Sequence, residues 1–170
     1  MQEMLILVDE NDREMGVSEK LQTHKEGKLH RGFSIFIFDQ RGKLLLQQRS
    51  LTKYHCPGLW SNTCCGHPRH GENIEETAHR RLEEEMGFNC DLKEVGSFVY
   101  KTKFGNGLHE HEYLHVFKGV HDQDPDANPQ EAEAWKWVSI PHLQKDILKN
   151  PSQYTYWFKL CFSKLGDRLK

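Results

Sequence analysis

The sequence predicts one layered domain of the α/β or α+β class. Its 170 residues are enough for one hydrophobic core and too few for two domains of ordinary size. Short apolar runs typical of strands are mixed with two longer stretches typical of helices, and such mixtures pack as layers of sheet and helix. No internal repeat or low-complexity tract interrupts the pattern. We therefore expect residues 1–170 to form a single domain.

Composition and charge exclude several classes of protein. The chain has 23 Lys and Arg against 25 Asp and Glu, so it lacks the basic excess of a general nucleic-acid binder. No apolar run is long enough to span a bilayer, and the N-terminal residues do not resemble a secretory signal. The five cysteines show no C-x-x-C spacing, which is typical of reduced thiols. We expect a cytoplasmic protein, monomeric by default, with no nucleic-acid or membrane partner.

The first half of the chain predicts strands followed by an ordered loop. Residues 4–9 form a short apolar run that ends in a turn-rich segment. Residues 32–38 and 43–48 are apolar runs that flank a turn-forming tetrapeptide, which predicts a β-hairpin. Residues 52–69 are rich in Pro, Gly, Cys and His without periodicity. A loop of that length in a compact domain is usually functional or disordered, and its aromatic and thiol residues favour order.

The second half predicts the two helices and the remaining strands. Residues 72–86 form the strongest helix candidate, ended by Gly87. Strands are expected at residues 95–104, 110–117 and 135–138, with a surface loop at residues 121–130 that contains two prolines and three aspartates. An aromatic-rich helix is expected at residues 151–165.

The helix predicted at residues 72–86 carries charge on its apolar face. At about 100° per residue, Ile74, Ala78 and Leu82 form one apolar stripe. Arg81 and Glu85 fall inside the same stripe. One interpretation is a surface i,i+4 ion pair, worth about 0.2–0.5 kcal/mol. The other is a pair of charges that point inward, which requires a partner or a metal ion.

The same segment resembles the Nudix box. Gly66 is followed after five residues by Glu72, and Glu72 after seven more by Arg80. The pattern then continues through Leu82, Glu84, Glu85, Gly87 and Phe88. The resemblance implies a Nudix fold, a mixed sheet sandwiched between helices, whose helix carboxylates hold Mg²⁺ against a diphosphate. The one departure is Arg81, where Nudix hydrolases have a glutamate, and this cation argues against ordinary diphosphate hydrolysis.

Three further motifs extend the resemblance to a particular family. Residues 62–68 read NTCCGHP, residues 109–113 read HEHEY and residues 29–34 read LHRGFS. Together with the altered Nudix box they resemble the metal-dependent isopentenyl-diphosphate isomerases, from about residue 8 to the C-terminal helix. The resemblance implies interconversion of isopentenyl and dimethylallyl diphosphate in isoprenoid biosynthesis. It implies Mg²⁺ and one Mn²⁺ or Zn²⁺ per subunit, and no flavin or nicotinamide.

A metal site is suggested by chemistry and specified by the resemblance. Period-two alternation places Glu110 and Glu112 on one strand face beside Leu108 and Leu114. Two carboxylates on an apolar face repel each other unless a cation or a shared proton lies between them. The family resemblance implies five ligands at matching positions, which suit Zn²⁺ or Mn²⁺ better than an all-oxygen Mg²⁺ site. They are His24, His30, His67, Glu110 and Glu112.

The resemblance also assigns the residues that move protons. Cys65 and Glu112 match the family's two acid/base groups, one on either side of the bound hydrocarbon. Tyr100 is expected to assist Glu112, and the ring of Trp157 to stabilise a developing cation. Which of Cys65 and Glu112 protonates first remains open, and so does a purely structural role for some of the C-terminal aromatic residues.

The diphosphate is expected to bind to cations at matching positions. These are Lys20, Arg49, Lys53 and Arg81, with Glu85 reaching the diphosphate through Mg²⁺. Two alternatives stay open at this point: a Nudix hydrolase of a nucleoside or prenyl diphosphate, and a Nudix-fold module that binds a diphosphate without turnover.

Overall fold

The secondary structure consists of nine strands, four α-helices and one short 3₁₀ helix (Pro151–Gln153) within residues 2–169, the part of the chain described by the computed structural model. The strands are β1 (Met4–Val8), β2 (Glu14–Glu19), β3 (His30–Phe38), β4 (Leu44–Arg49), β5 (Trp60–Ser61), β6 (Cys64–Gly66), β7 (Leu92–Lys103), β8 (His109–Val120) and β9 (Ala132–Val138). The helices are α1 (Lys20–Glu26), α2 (Ile74–Met86), α3 (Ile140–Lys149) and α4 (Tyr156–Leu169). No helix in this range is both long enough and apolar enough to cross a membrane.

Strand β3 is the centre of the sheet. Along its whole length it pairs in parallel with β8, from His30 opposite Glu112 to Phe38 opposite Val120. Over residues 33–35 it also pairs antiparallel with β6. A strand has only two edges, so β6 and β8 lie on opposite edges of β3. This arrangement allows side chains from β6 and β8 to face one region on the same side of the sheet.

The hairpin predicted for residues 32–38 and 43–48 is confirmed at its turn, but the expected pairing of its two strands along their length is wrong. Strands β3 and β4 pair only at Phe38 and Leu44. Beyond this point β4 pairs with β9 and β5 instead. Both segments are almost continuously buried, and a strand covered on both faces usually lies inside a large sheet with neighbours on each edge.

Helices cover both faces of the sheet, which confirms the predicted layers. On one face Phe33 and Ile35 of β3 pack with Leu82 of α2. On the other face Phe36 packs with Phe158 of α4. Alternating residues of β3 therefore point to different helices, as the two-residue period of a strand requires.

Helix α2 confirms the predicted segment and its ends. Asn73 caps its first turn by accepting hydrogen bonds from two backbone N–H groups, and Gly87 ends it in the left-handed conformation. A Cβ at Gly87 would lie 2.5 Å from the carbonyl oxygen of Asp126, so this position requires glycine. Glu85 is 4% exposed. The interpretation that the charge of Glu85 points toward the interior is thus confirmed.

Several elements were not predicted. Helix α1 has seven residues and is capped by Glu19 rather than by a typical short polar residue. Strand β2 and helix α3 lie in segments without a clear pattern, and β5 and β6 lie inside the predicted loop at residues 52–69. The helix predicted at residues 151–165 begins only at Tyr156, because the backbone N–H of Thr155 donates to the carbonyl oxygen of Trp60. That tie holds the chain extended before α4.

Candidate active site

A cavity of about 280 Å³ opens beside β3, β6 and β8 and is lined by residues of both α2 and α4. Ten of the thirteen predicted site residues line it: Lys20, Arg49, Lys53, Cys65, His67, Arg81, Glu85, Glu110, Glu112 and Trp157. The remaining three adjoin the lining: His24 and His30 contact Glu110, and Tyr100 contacts Glu112. The volume is at the low end for small-molecule pockets, which indicates a small ligand.

Three imidazoles and one carboxylate form a compact cluster at one end of the cavity. The ligand atoms of His24, His30, His67 and Glu110 all lie within 4.8 Å of one another. Glu110 Oε1 is 3.1 Å from His24 Nε2 and 3.0 Å from His30 Nε2. Glu112 adjoins this group, with its Oε1 2.7 Å from His67 Nε2. The five residues named as ligands from the sequence are therefore brought together.

The hydrogen bonds behind this cluster suit metal binding. Nδ1 of His24 donates to the carbonyl oxygen of Lys20 at 2.6 Å, and Nδ1 of His30 donates to that of Lys28 at 2.9 Å. A carbonyl oxygen only accepts, so each Nδ1 carries a proton, and Nε2 is the ring nitrogen that each histidine directs toward Glu110. Ligating histidines in proteins are usually held by such a bond from the other ring nitrogen. The donor set fits a transition-metal ion.

The two glutamates of β8 differ in their electrostatics. Burial opposes ionisation of Glu110, but hydrogen bonds with His24 and His30 outweigh it and hold the pKa of Glu110 well below its usual value. Burial, and then the charge of Glu110, raises the pKa of Glu112 well above its usual value. In the apoprotein Glu112 is therefore the carboxyl group of this pair that takes up a proton.

Tyr100 is the nearest hydroxyl donor to Glu112. Its hydroxyl donates to Glu112 Oε2 at 2.9 Å, and the ring is 6% exposed. Strands β7 and β8 place the two residues directly opposite each other. The carboxyl group thus has one oxygen beside His67 and the other beside Tyr100.

Cys65 reaches the cavity from the other edge of β3. It lies in β6, where it pairs with Ser34, and it is half-buried. Burial raises the pKa of its thiol to about 12, so the thiol is protonated near neutral pH. A thiol from β6 and a carboxyl group from β8 therefore line the same cavity from the two edges of one central strand.

Trp157 lies in a buried aromatic group at the cavity wall. Its ring is 5.3 Å from Arg49 Cζ and 5.8 Å from the ring of His55, centroid to centroid. The sequence did not indicate His55, which lies in the irregular segment before β5. Burial, and then the charge of Arg49, lowers the pKa of His55 to about 3, so this imidazole is neutral. No periodicity or motif marks it, so its position follows only from the loop conformation.

The predicted diphosphate cations surround another part of the cavity, and three of them are paired with carboxylates. Lys20 contacts Glu3 at 2.9 Å, and Lys53 contacts Glu131. Arg81 Nη2 contacts Glu85 at 2.5 Å and Glu131 at 3.2 Å. Glu131, which the sequence did not indicate, thus joins two predicted cations. Through Nη2, Arg81 bridges the carboxylates of Glu85 and Glu131.

Unpartnered polar atoms converge on the cavity. Within residues 2–169, six buried side-chain polar atoms lack a hydrogen-bond partner, and four of the six belong to cavity-lining residues. These are Ser34 Oγ, Arg49 Nε, His55 Nδ1 and Trp157 Nε1. Buried polar groups are normally paired, and exceptions point to function. These atoms can hydrogen-bond with a polar ligand in the cavity.

Residues 28–158 match the NUDIX domain family. Among solved structures, DR0079 from Deinococcus radiodurans superposes with a TM-score of 0.77 at 22% identity, over 93% of this chain and 96% of that one. A MutT protein from Methanosarcina mazei Go1 gives 0.67 at 20% identity, over 84% and 96% of the two chains. The chain belongs to the NUDIX domain family, and the predicted fold is confirmed.

Relatives in sequence narrow the family further. The chain is 51% identical to isopentenyl-diphosphate Delta-isomerase 2 of Aromatoleum aromaticum, over 97% of this chain and 87% of the relative. It is 53% identical to isopentenyl-diphosphate Delta-isomerase 2 of Photorhabdus laumondii subsp. laumondii, over 98% and 94%. Within the Nudix class, the chain therefore belongs to the isopentenyl-diphosphate Delta-isomerase family, as its motifs predicted.

Proposed function

We propose that the protein is an enzyme that interconverts isopentenyl and dimethylallyl diphosphate. The observation that carries this function is the approach of Cys65 and Glu112 to one cavity from opposite edges of β3. Moving a double bond by one position needs a proton added at one carbon and another removed two carbons away. Two proton-handling groups in one small cavity suit that reaction. The names of the relatives support the same conclusion.

Cys65 and Glu112 are the proposed catalytic pair. In either direction, one group gives a proton to the alkene and the other removes a proton from the resulting cation, so atoms and charge balance. Tyr100, which donates to Glu112 at 2.9 Å, is proposed to orient that carboxyl group and to assist its proton transfer. An alkene is a weak base, so the reaction needs a well-placed acid and exclusion of water.

Trp157 is proposed to stabilise the cationic intermediate. It is 4% exposed, and its ring forms part of the cavity wall. An aromatic face attracts a desolvated cation by about 2 kcal/mol or more. Because Arg49 already lies 5.3 Å from the ring, the two cations require different faces or edges of the indole.

Lys20, Arg49, Lys53 and Arg81 are proposed to bind the diphosphate. In the free protein three of these cations are paired with Glu3, Glu85 or Glu131. Binding of the diphosphate therefore exchanges carboxylate partners for phosphate oxygens. Glu85, freed from Arg81, is proposed to contact the diphosphate through Mg²⁺, a hard ion that prefers oxygen ligands. Arg81 then acts as a phosphate clamp.

The cluster of His24, His30, His67, Glu110 and Glu112 is proposed to hold one Zn²⁺ or Mn²⁺ ion per subunit. Its four closest ligand atoms and the bonds from Nδ1 of two histidines support this assignment. When bound, such an ion supplies a fixed positive charge beside Glu112. No flavin or nicotinamide takes part in the proposed reaction.

The proposal is tested by supplying isopentenyl diphosphate with Mg²⁺ and Zn²⁺ or Mn²⁺ and recording products by NMR. We expect dimethylallyl diphosphate to form without phosphate release. Cys65→Ala and Glu112→Gln should each lower turnover at least about 100-fold, the scale of general acid–base catalysis, with unchanged circular dichroism. Phosphate release instead, with Cys65→Ala harmless, would identify a Nudix hydrolase. Binding without any turnover would identify a non-enzymatic module.

A further inference from the structure

Ser34 carries a hydroxyl group that the fold leaves without a partner. It lies in the middle of β3, is 0% exposed and lines the cavity. Its Oγ forms no hydrogen bond with any residue of the described range 2–169. A buried hydroxyl without a partner is costly, so a position of this kind usually serves a purpose other than packing.

The neighbours of Ser34 on the sheet are apolar with one exception. Along β3, the adjacent positions on the same face are Gly32, which has no side chain, and Phe36. Across the edge shared with β8, Ser34 pairs with Val116. Across the other edge it pairs with Cys65 of β6. The thiol of Cys65 is therefore the polar group that the strand register places beside Ser34.

The register also sets the separation between the two side chains. Residues directly opposite each other in an antiparallel pair project to the same face, with Cβ atoms about 4.5–5.5 Å apart. Both Ser34 and Cys65 line the cavity, in agreement with this geometry. A hydroxyl group can accept a hydrogen bond from a thiol or donate one to a thiolate sulfur. The Ser34 hydroxyl can therefore hydrogen-bond with Cys65 in both of its protonation states.

We propose that Ser34 is a positioning residue for Cys65: the Ser34 hydroxyl, which has no partner within residues 2–169 of the free protein, takes up a hydrogen bond with the Cys65 sulfur across the β3–β6 pair when the substrate is bound, and so orients that sulfur toward the substrate. Ser34 acts through Cys65 rather than on the substrate itself. The inference rests on the proposed isomerase function and on the role of Cys65 in it, and it adds a residue that the family motifs did not assign.

The test is Ser34→Ala, assayed for turnover of isopentenyl diphosphate and for thermal unfolding. Removal of an unpartnered hydroxyl should leave Tm unchanged or raise it. We expect kcat to fall at least about tenfold, the equivalent of about 1.4 kcal/mol of transition-state stabilisation. KM should stay within about twofold, because the proposed diphosphate ligands are other residues. A kcat equal to that of the wild type, or a fall accompanied by a lower Tm, would overturn the inference.

A matched pair separates the hydroxyl from the shape of the side chain. Ser34→Thr and Ser34→Val are both β-branched and differ in the hydroxyl that only Thr retains. We expect the Thr variant to keep a kcat about tenfold above that of the Val variant. Equal values would contradict a role for the hydroxyl.

Two controls distinguish failure of this inference from failure of the proposed function. Ser18→Ala removes a buried serine hydroxyl of β2 outside the cavity and should leave kcat unchanged. Cys65→Ala should be inactive. If Cys65→Ala is inactive and Ser34→Ala has wild-type kcat, only the inference about Ser34 fails. If Cys65→Ala is fully active, both fail.

Discussion

Arg81 occupies the one position where the chain departs from the Nudix box, and the substitution Arg81→Gln tests its role in stability and diphosphate binding. Arg81 Nη1 donates to Glu84 at 2.7 Å, and its Nη2 contacts Glu85 at 2.5 Å and Glu131 at 3.2 Å. Glu85 is 4% exposed, and apart from Arg81 its carboxylate accepts a bond from Gln47 Nε2 at 2.9 Å. Arg81→Gln therefore leaves a buried carboxylate whose remaining donor, Gln47, is neutral, and no other cation within residues 2–169 forms an ion pair with it.

The expected cost follows from that burial. Breaking a fully buried ion pair costs about 3–5 kcal/mol. The Arg81 side chain is 22% exposed and Gln47 still donates to Glu85, so we expect a loss of about 1–3 kcal/mol in the free energy of unfolding. Mg²⁺ bound at Glu85 as proposed would neutralise that carboxylate, so Mg²⁺ should recover part of this loss. Loss of the charge-assisted bonds to the diphosphate, about 1.5–3 kcal/mol each, should raise KM about 10- to 100-fold.

The assay is urea unfolding with and without Mg²⁺, combined with KM for isopentenyl diphosphate. Arg31→Gln is the matched control, because Arg31 pairs with Asp12 at 2.8 Å and is 18% exposed, yet lies outside the cavity lining. The Arg31→Gln variant should unfold at a lower urea concentration than the wild type. Mg²⁺ should not restore its stability, and its KM should not change. The reasoning is refuted if Arg81→Gln unfolds at the wild-type urea concentration in both buffers and keeps the wild-type KM.

Three further predictions concern other residues of the site. Tyr100→Phe removes the donor to Glu112 but keeps the ring, so kcat should fall about tenfold at unchanged KM; wild-type kcat would argue against the assigned role. His55 has a pKa of about 3 in the folded protein and about 6.5 when unfolded, so between these values only the unfolded state binds its proton. Stability should fall by up to about 1.4 kcal/mol per pH unit as the pH drops from 6.5, and His55→Gln should make the urea midpoint less dependent on pH; equal slopes would contradict this. Treatment with a strong chelator should lower both Tm and activity, with recovery by Zn²⁺ or Mn²⁺ but not by Mg²⁺ alone, because the cluster around Glu110 contains three imidazoles; full activity after metal depletion would remove the metal assignment.

The regular elements of the site could be predicted because local patterns determine them. Glu110 and Glu112 share a buried face of β8 because strands alternate every two residues. Glu85 could be placed toward the interior because helices repeat every 3.6 residues. These patterns depend on residues close together in the sequence, so they needed no knowledge of the fold.

The remaining features depend on contacts between distant segments. The register that places Ser34 beside Cys65 arises because β3 pairs with β6 and β8 rather than with β4 along its length. Glu131 meets Lys53 and Arg81 only after β9 pairs with β4. His55 enters the cavity through a loop without repeating structure. No local pattern encodes these contacts.

The most direct test of the central claim is conversion of isopentenyl diphosphate in D₂O, followed by NMR. If Cys65 and Glu112 exchange protons with the alkene, dimethylallyl diphosphate should accumulate with solvent deuterium in a methyl group and with both phosphates intact. Cys65→Ala and Glu112→Gln should then show neither product nor deuterium. Deuterium incorporation at the wild-type rate in both variants would contradict the account, as would release of phosphate without movement of the double bond.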